Sequence, residues 1–254
     1  MKFLKILAAV TPFALLTACE TKDSRPIPTK EMLPQFEVRT DENGDSKISM
    51  VLVRDLFSSI DLVGGDQMVI TGGGARAVVV GTNTVLKTGN AENTEIQFDF
   101  QRPDQVDAPN SKGTLPPPMT LTAPVANSVY TAQDDSILVR WTDTLSTDSM
   151  AVGVSVSCRT FTGVKPLDTS AGAVINADLG ITSYSLSELA DRLDRNCSVY
   201  DGVLTLSRSR EGTLDGAYGP SDDCKRTQNC FGPAYYLVLR QVRSVPVVIN
   251  NRPA

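Results

Sequence analysis

Short runs of alternating apolar and polar residues fill much of the chain after its first 35 residues. The clearest is Glu95–Phe100, where isoleucine and two phenylalanines alternate with glutamate, glutamine and aspartate. Such alternation is typical of a half-buried β-strand. Turn-forming sequences such as Asn43-Gly44 and Gly72-Gly73-Gly74 separate the runs. The pattern predicts strands over 36–39, 48–53, 67–71, 76–80 and 95–100.

A second set of strand-like runs begins after Met119. In the run 151–158, three valines and Cys158 share one face, and small or polar residues occupy the other. Further strands are predicted over 137–141, 182–186, 197–206 and 235–242. The one helical pattern, Ser187–Leu193, is short. The chain is therefore predicted to be all-β.

Two proline-rich segments divide the chain. Residues 19–35 are polar and contain three prolines, which predicts a flexible tether. Residues 104–118 end in Pro116-Pro117-Pro118, and consecutive prolines favour a stiff polyproline II spacer. The expected organisation is a small N-terminal β-sandwich domain over 36–103, a linker over 104–118, and a second small sandwich domain over 119–254.

The first residues predict export. Lys2 and Lys5 precede an apolar run, Ile6–Leu16, which is shorter than the 20 or so residues that span a bilayer. A basic start and a short apolar run are typical of a secretory signal peptide. Leu16-Thr17-Ala18-Cys19 resembles the lipobox of bacterial lipoproteins. An ordinary secretory signal that happens to end in cysteine is the alternative interpretation.

The lipobox resemblance implies that residues 1–18 are removed and that Cys19 carries fatty acyl chains such as palmitate. In enterobacterial lipoproteins an aspartate after the cysteine signals retention at the inner membrane. This chain has Glu20 there, which resembles the default signal for the outer membrane of a Gram-negative bacterium. The expected address is therefore the outer membrane, with its periplasmic or surface face left open.

Charge and composition exclude several functions. The signal peptide holds two of the 24 Lys and Arg residues, which leaves 22 against 29 acidic ones, a balance that repels nucleic acid. The chain contains no histidine. This excludes the Ser-His-Asp and Cys-His catalytic arrangements and histidine metal sites. We therefore expect no catalytic residues, cofactor or metal, and a non-enzymatic protein.

The C-terminal half resembles an immunoglobulin-like or fibronectin type III-like sandwich. The resemblance rests on Thr122-Ala123-Pro124, on the strand that ends at Trp141, and on Ser183–Leu189. It implies a two-sheet fold but no particular function, because such sandwiches host many unrelated roles. The long stretch from Arg208 to Pro233 departs from the family, which usually has a tight hairpin there.

Four cysteines remain after Cys19: Cys158, Cys197, Cys224 and Cys230. An exported protein is expected to form disulfides, and four cysteines permit three connectivities. The sandwich resemblance implies that the strands over 151–158 and 197–206 are antiparallel neighbours, which pairs Cys158 with Cys197 and leaves Cys224 with Cys230. A four-thiolate zinc site is the alternative, but the close C-x₂-C pairs that it needs are absent.

Three motifs have a chemical and a structural interpretation. Asp41–Ile48 resembles the first half of an EF-hand calcium loop, but Ser46 and Leu52 stand where the motif needs glycine and glutamate. The glycine triplet formally fits a dinucleotide-binding pattern, yet a strand rather than a helix follows it. The aspartate pairs 134–135 and 222–223 could serve hydrolysis. In each case we favour a turn or a solvated loop.

The stretch 208–233 is the candidate interaction loop. Long ordered loops on compact scaffolds are uncommon and are often functional. The residues proposed for contact are Arg208, Arg210, Tyr218, Lys225, Arg226 and Phe231. The sequence thus predicts a lipid-anchored envelope protein that binds a protein partner or has a structural role. The alternative is a carboxylate-dependent hydrolase, or an accessory subunit of an envelope enzyme.

Overall fold

The computed structural model describes residues 20–55, 58–133, 135–142, 146–158, 169–175, 178–194, 197–219 and 235–251. The strands of the N-terminal half are β1 (Glu20–Asp23), β2 (Leu33–Thr40), β3 (Asp45–Asp55), β4 (Ser58–Asp61), β5 (Gln67–Gly72), β6 (Ala75–Val79), β7 (Asn83–Lys87), β8 (Glu95–Gln101) and β9 (Ala108–Thr114). Those of the C-terminal half are β10 (Leu121–Ala123), β11 (Ser128–Thr131), β12 (Ser136–Trp141), β13 (Ser149–Cys158), β14 (Thr169–Ile175), β15 (Ile181–Ser185), β16 (Val199–Glu211) and β17 (Tyr236–Asn250). A 3-10 turn covers Thr29–Glu31, and a single helical turn, α1, covers Ser187–Ala190.

These strands form three sheets. The largest has ten strands, with β1-β4-β3-β2-β17-β16-β13-β14 as its main order, while β7 pairs with β3 and β11 with β17. The two smaller sheets have the orders β6-β5-β8-β9 and β10-β12-β15. The predicted all-β fold is confirmed. Among the described residues, no helix is long and apolar enough to cross a membrane.

Both smaller sheets cover the same face of the large sheet. Along β17, Leu237 and Leu239 belong to the core of the N-terminal half, whereas Val245, Val247 and Ile249 belong to the core of the C-terminal half. All five are odd-numbered, and alternate residues of a strand share one face. The molecule is therefore two β-sandwiches side by side, with β17 passing through both cores.

The C-terminal half has the strand arrangement expected of an immunoglobulin-like sandwich. The sheet β10-β12-β15 faces β11-β17-β16-β13-β14, so the consecutive strands β12 and β13 lie in different sheets. β13 and β16 are antiparallel neighbours that place Cys158 opposite Tyr200. Cys158 and Cys197 form a disulfide, with their Cα atoms 5.9 Å apart. The predicted pairing of these two cysteines is confirmed.

The segment predicted to be a flexible tether is packed against the N-terminal half. β1 pairs in parallel with β4, and Ile27 and Met32 are buried. The buried Arg102 donates to the carbonyls of Ser24 (2.6 Å) and Ile27 (2.8 Å) and pairs with Asp66 (3.0 Å). The tether prediction is wrong for 20–35, because the buried side chains of Ile27, Met32 and Leu33 and the contacts of Arg102 hold this segment against the N-terminal half.

The segment predicted to be a stiff linker is also packed. Its first part contains β9, which pairs with β8 at the edge of its sheet. An edge position tolerates Pro109, since an edge strand needs only one row of hydrogen bonds. Leu115, Pro116 and Pro117, which follow, are buried. The prediction of a stiff linker is therefore wrong. Residues 108–114 form a strand, and the buried residues that follow carry the chain from one core to the other.

Candidate functional site

A belt of polar side chains separates the two cores on the inner face of β16 and β17. Its members are Arg208, Arg210, Gln241 and Arg243. Arg208 lies opposite Gln241 in the strand register, and both side chains are fully buried. These residues occupy inward positions that are apolar elsewhere along the two strands. We call this group the polar belt.

The polar belt holds the crossing segment that follows β9. Arg208 donates through Nη1 to the carbonyls of Pro117 (2.9 Å) and Pro118 (3.3 Å), and Arg243 donates through Nε to that of Met119 (2.7 Å). Proline has no N–H group, so this segment cannot extend a strand ladder. Buried carbonyls without donors would cost free energy. The belt supplies those donors and fixes the path of the chain between the two halves.

Arg208 is neutralised by a buried carboxylate. Its Nη2 lies beside Oδ2 of Asp178 in an ion pair rather than a well-aligned hydrogen bond, and both side chains are essentially inaccessible to solvent. Trp141 donates through Nε1 to the other oxygen of Asp178 at 2.6 Å. Trp141, the last residue of β12, therefore orients the carboxylate that balances the charge of Arg208.

Arg210 makes a second, bidentate ion pair. Its Nε and Nη2 atoms lie 2.8 and 2.9 Å from the two carboxylate oxygens of Asp148, and Nη1 donates to Asn93 at 2.9 Å. Partial burial would raise the pKa of Asp148, but hydrogen bonds from Arg210 and Ser146 hold that pKa below its ordinary value. The hydrogen bond to Asp148 in turn raises the pKa of Arg210.

The lowered pKa of Asp148 predicts a pH dependence of stability. A carboxyl group with a lower pKa in the folded state stabilises the fold above its unfolded pKa, about 3.9, and this stabilisation is lost as the pH falls through the folded-state pKa. The free energy of unfolding in urea should therefore decrease between pH 7 and pH 2.5. The decrease should be smaller in Asp148→Asn and in Arg210→Gln. The same decrease in all three proteins would contradict this assignment.

Arg243 differs from the other two arginines of the belt. It is 5% exposed, and among the described residues no carboxylate forms an ion pair with it. Its contacts are the Met119 and Val242 carbonyls, both at 2.7 Å, and Oε1 of Gln241 at 3.4 Å. Burial lowers the pKa of the Arg243 guanidinium, although nearby acidic side chains oppose this. A buried positive charge is thus balanced only at a distance.

Arg243 lines a cleft of about 430 Å³ where the two halves meet. The floor is the part of β17 around Ser244, one wall is the crossing segment 118–121, and Glu42 and Asn90 lie on the other side. A second cavity of about 340 Å³ shares Glu42, Arg243 and Ser244 and continues over the turn 41–45. We call the two together the junction groove.

The strand ladder is interrupted along the floor of the junction groove. On this edge of β17, pairing with β2 ends at Gln241, and pairing with β11 begins at Val247. Among the described residues, no strand pairs with 242–246 on this side. A strand edge without a neighbour presents unpaired N–H and C=O groups to whatever approaches it.

The direction of these main-chain groups follows from neighbouring hydrogen bonds. The carbonyl of Pro246 accepts from the N–H of Asn127 at 2.7 Å, and that of Asn250 accepts from the N–H of Ala132 at 2.9 Å, both on this edge. The carbonyl of Leu237 instead accepts from Gly212, which follows β16. Even-numbered residues of β17 thus direct their main chain to the open edge, and Ser244 directs its N–H and C=O into the groove.

A larger cavity lies on the outer face of the large sheet. It measures about 480 Å³ and is lined by residues of β2, β3 and β7 that include Glu37, Arg39 and Val85. Glu37 is engaged by Arg39 at 3.0 Å and by Arg240 at 2.8 Å. Partial burial would raise the pKa of Glu37, but these arginines lower it. Because these charges satisfy one another, the junction groove is the stronger candidate site.

The structure corrects part of the predicted interaction loop. β16 continues to Glu211, so Arg208 and Arg210 belong to a strand and are used internally. Tyr218 is buried, with its ring centroid 6.3 Å from that of Phe36 and 6.2 Å from that of Phe100, and burial raises its pKa. The prediction that these three residues belong to an interaction loop is wrong, because Arg208 and Arg210 pair with Asp178 and Asp148 from within a strand and Tyr218 packs in the core. Lys225, Arg226, Phe231, Cys224, Cys230 and Cys19 lie outside the described residues.

The EF-hand-like sequence forms a turn. Oδ1 of Asp41 accepts hydrogen bonds from the main-chain N–H groups of Asn43 (2.8 Å) and Asp45 (3.0 Å). This carboxylate therefore stabilises the local backbone. Among the described residues, no group of three or more His, Cys, Asp or Glu side chains could hold a metal ion.

The glycine triplet also forms a turn. Gly73 and Gly74 have φ angles of 56° and 82° between β5 and β6, and a Cβ at Gly73 would lie 1.8 Å from the carbonyl oxygen of Thr88. Both the left-handed backbone and this close approach require glycine. The turn interpretation of this motif is confirmed.

Of the aspartates in the two acidic pairs, only Asp135 is described. Its carboxylate accepts a hydrogen bond from the N–H of Thr131, so it too stabilises a turn. Asp134, Asp222 and Asp223 lie outside the described residues. The structure thus assigns Asp135 a local structural contact.

Comparisons with known proteins add little. No protein-family model matches the chain, and no curated protein matches it. Among solved structures, the FN1-FN3 domains of chicken CNTN1 are similar at 10% sequence identity, with 88% of this chain and 68% of that chain covered and a TM-score of 0.27. The fold assignment rests on the sheets themselves.

Proposed function

We propose that this chain is a membrane-anchored, non-enzymatic envelope lipoprotein that acts as an interaction or structural module. The observation that carries the proposal is the position of β1. This strand begins at Glu20, immediately after the lipobox residue Cys19, and pairs with β4 in the large sheet. Acyl chains on Cys19 would then be joined to the folded body without a spacer.

Such an attachment has a direct physical consequence. A chain spans at most about 3.3–3.6 Å per residue, so a body that begins one residue after the anchor stays at the lipid surface. Two or more acyl chains anchor stably, whereas one chain gives marginal binding. The acidic net charge supplies no attraction to anionic lipid. The lipid would therefore provide the anchoring, and β1 would set the orientation of the body.

The use of charged side chains supports a binding or structural role. Asp178 and Asp148 are occupied by Arg208 and Arg210. The same arginines donate to Pro117 of the crossing segment and to Asn93 of the N-terminal half, which keeps the two halves in a fixed relation. A rigid two-part body with an open strand edge between its halves is suited to present a binding surface. We propose a protein partner in the envelope as the ligand.

Cys19→Ser should abolish lipid attachment and leave residues 1–18 on the chain, because cleavage of a lipoprotein precursor follows modification of the cysteine. Intact mass of the membrane-derived protein measures both changes. The double variant Cys158→Ala/Cys197→Ala is the control, since it removes cysteines that are not in the lipobox and should be lipidated normally. Recovery of mature, soluble protein from Cys19→Ser would refute the anchor. Separation of inner from outer membranes in the same experiment tests the address proposed from Glu20.

A further inference from the structure

We infer that the junction groove binds an extended peptide with a carboxylate at its end, pairing the peptide backbone with Ser244 and the carboxylate with Arg243. The inference rests on the proposed role as an interaction module and names the class of ligand. It does not depend on the lipid anchor. Binding and membrane attachment can therefore succeed or fail separately.

The interrupted ladder supplies the first argument. The gap covers residues 242–246 of β17, about 17 Å of strand, and within it the carbonyls of Val242 and Pro246 already accept from Arg243 and Asn127. A peptide of three or four residues fits this length. Ser244 offers one N–H and one C=O in the middle of the gap, which is the pairing that strand addition to a sheet edge uses. Main-chain pairing explains affinity for a peptide without demanding a particular side chain.

The charge of Arg243 supplies the second argument. Buried charges in proteins are ordinarily paired, yet among the described residues this guanidinium has carbonyl and amide partners only. A guanidinium has five N–H donors in a planar fork that matches a carboxylate. Three contacts occupy three of them. A carboxylate in the cleft would use the remaining donors and balance the buried charge.

The walls of the groove add a preference for a basic residue in the ligand. Glu42 is exposed and lines both cavities, and Asp41 and Asp45 line the second. These acidic groups disfavour a ligand that carries negative charge alone. A peptide with a lysine ahead of its terminal carboxylate places opposite charges beside each group. The geometry therefore favours a peptide terminus over a small anion.

The test uses the purified full-length chain in detergent micelles, whether or not it carries lipid, and the probe fluorescein-Lys-Val-Thr-Val with a free carboxyl end. Fluorescence anisotropy should show saturable binding. The same peptide with an amidated end should bind at least tenfold more weakly. No saturation up to millimolar protein, or equal binding of the acid and the amide, would overturn the inference.

Two variants test the proposed contacts. Ser244→Pro removes the N–H that faces the groove, at a position equivalent in direction to the native Pro246, and should weaken binding at least tenfold. Unchanged binding by this variant would overturn the pairing.

Glu42→Gln changes an exposed residue that does not take part in the backbone pairing, and it should weaken binding of the lysine peptide severalfold. Glu211→Gln, also exposed but away from the groove, should leave binding of this peptide unchanged. Equal affinity of these two variants would overturn the charge argument, whatever the stability of Ser244→Pro. Neither groove variant should release the protein from membranes, which separates this test from that of the anchor.

Discussion

Replacing Arg208 by leucine should lower the free energy of unfolding by about 3–5 kcal/mol. The substitution leaves the carboxylate of Asp178 buried without a compensating charge, and it removes the donor to the Pro117 carbonyl. Equilibrium unfolding in urea at pH 7 measures the loss. Among the described residues, Arg208 is the largest fully buried side chain, so the effect should reach both halves of the molecule.

The matched control is Arg39→Leu on the outer face of the same sheet. Arg39 also pairs with a carboxylate, that of Glu37, but its side chain is 60% exposed. Exposed ion pairs contribute about 0–1 kcal/mol, so this variant should remain close to the wild type. Similar losses in the two variants would refute the assigned role of the polar belt.

A double variant separates the effect of the unpaired charge from the effect of the lost hydrogen bonds. Arg208→Leu combined with Asp178→Leu removes both charges, and replacing a buried ion pair by apolar side chains is often close to neutral. Recovery here should be partial, because Trp141 loses its acceptor and Pro117 loses its donor. A double variant no more stable than Arg208→Leu alone would show that the lost donors, rather than the unpaired charge, dominate.

Removing the disulfide between Cys158 and Cys197 should cost about 3–4 kcal/mol on the chain-entropy model. The two cysteines are 39 positions apart, and the bridge restricts the unfolded chain over that whole interval. The double alanine variant should show a markedly lower melting temperature. The fold itself should persist, since the strands β13 and β16 pair along ten positions without the bridge.

The control for the disulfide is removal of Cys224 and Cys230. If these two are bridged, they close only a handful of residues, so their loss should leave the melting temperature nearly unchanged. Peptide mapping without reduction establishes the pairing in solution. A Cys158–Cys224 peptide would contradict both the connectivity and the stability difference.

The ten strands that the sequence predicts all occur in the structure. β8 and β13 show why. Each strand buries only one of its faces, so its apolar residues alternate with polar or small ones, and this alternation is visible in the sequence. The missed strands, such as β1, β9 and β11, are short or polar. These strands join the sheets through main-chain hydrogen bonds, and their side chains do not show the apolar alternation from which a strand can be predicted. Prediction therefore succeeded where side chains determine the face, and failed at the edges.

The polar belt could not be predicted from local pattern. Arg208 contacts a carbonyl 91 positions away, and an arginine in a strand is ordinarily assigned to solvent or a loop. The sequence carries one local signal of the polar belt. Gln241 and Arg243 occupy two of the inward positions of β17, and the other inward positions of this strand are apolar. That interruption marks the boundary between the cores, but only the fold shows which segment crosses there.

The position of β17 has a consequence for the order in which the molecule can form. β17 is the last strand of the described chain, yet it pairs with β2 near the start and contributes to both cores. During synthesis, Phe36 and Val38 in β2 cannot pair with β17 until some 200 further residues have been made. Pairing between such distant segments slows folding. Neither half can close early. A nascent chain built this way cannot close either core until β17 has been made, which would suit the export proposed above.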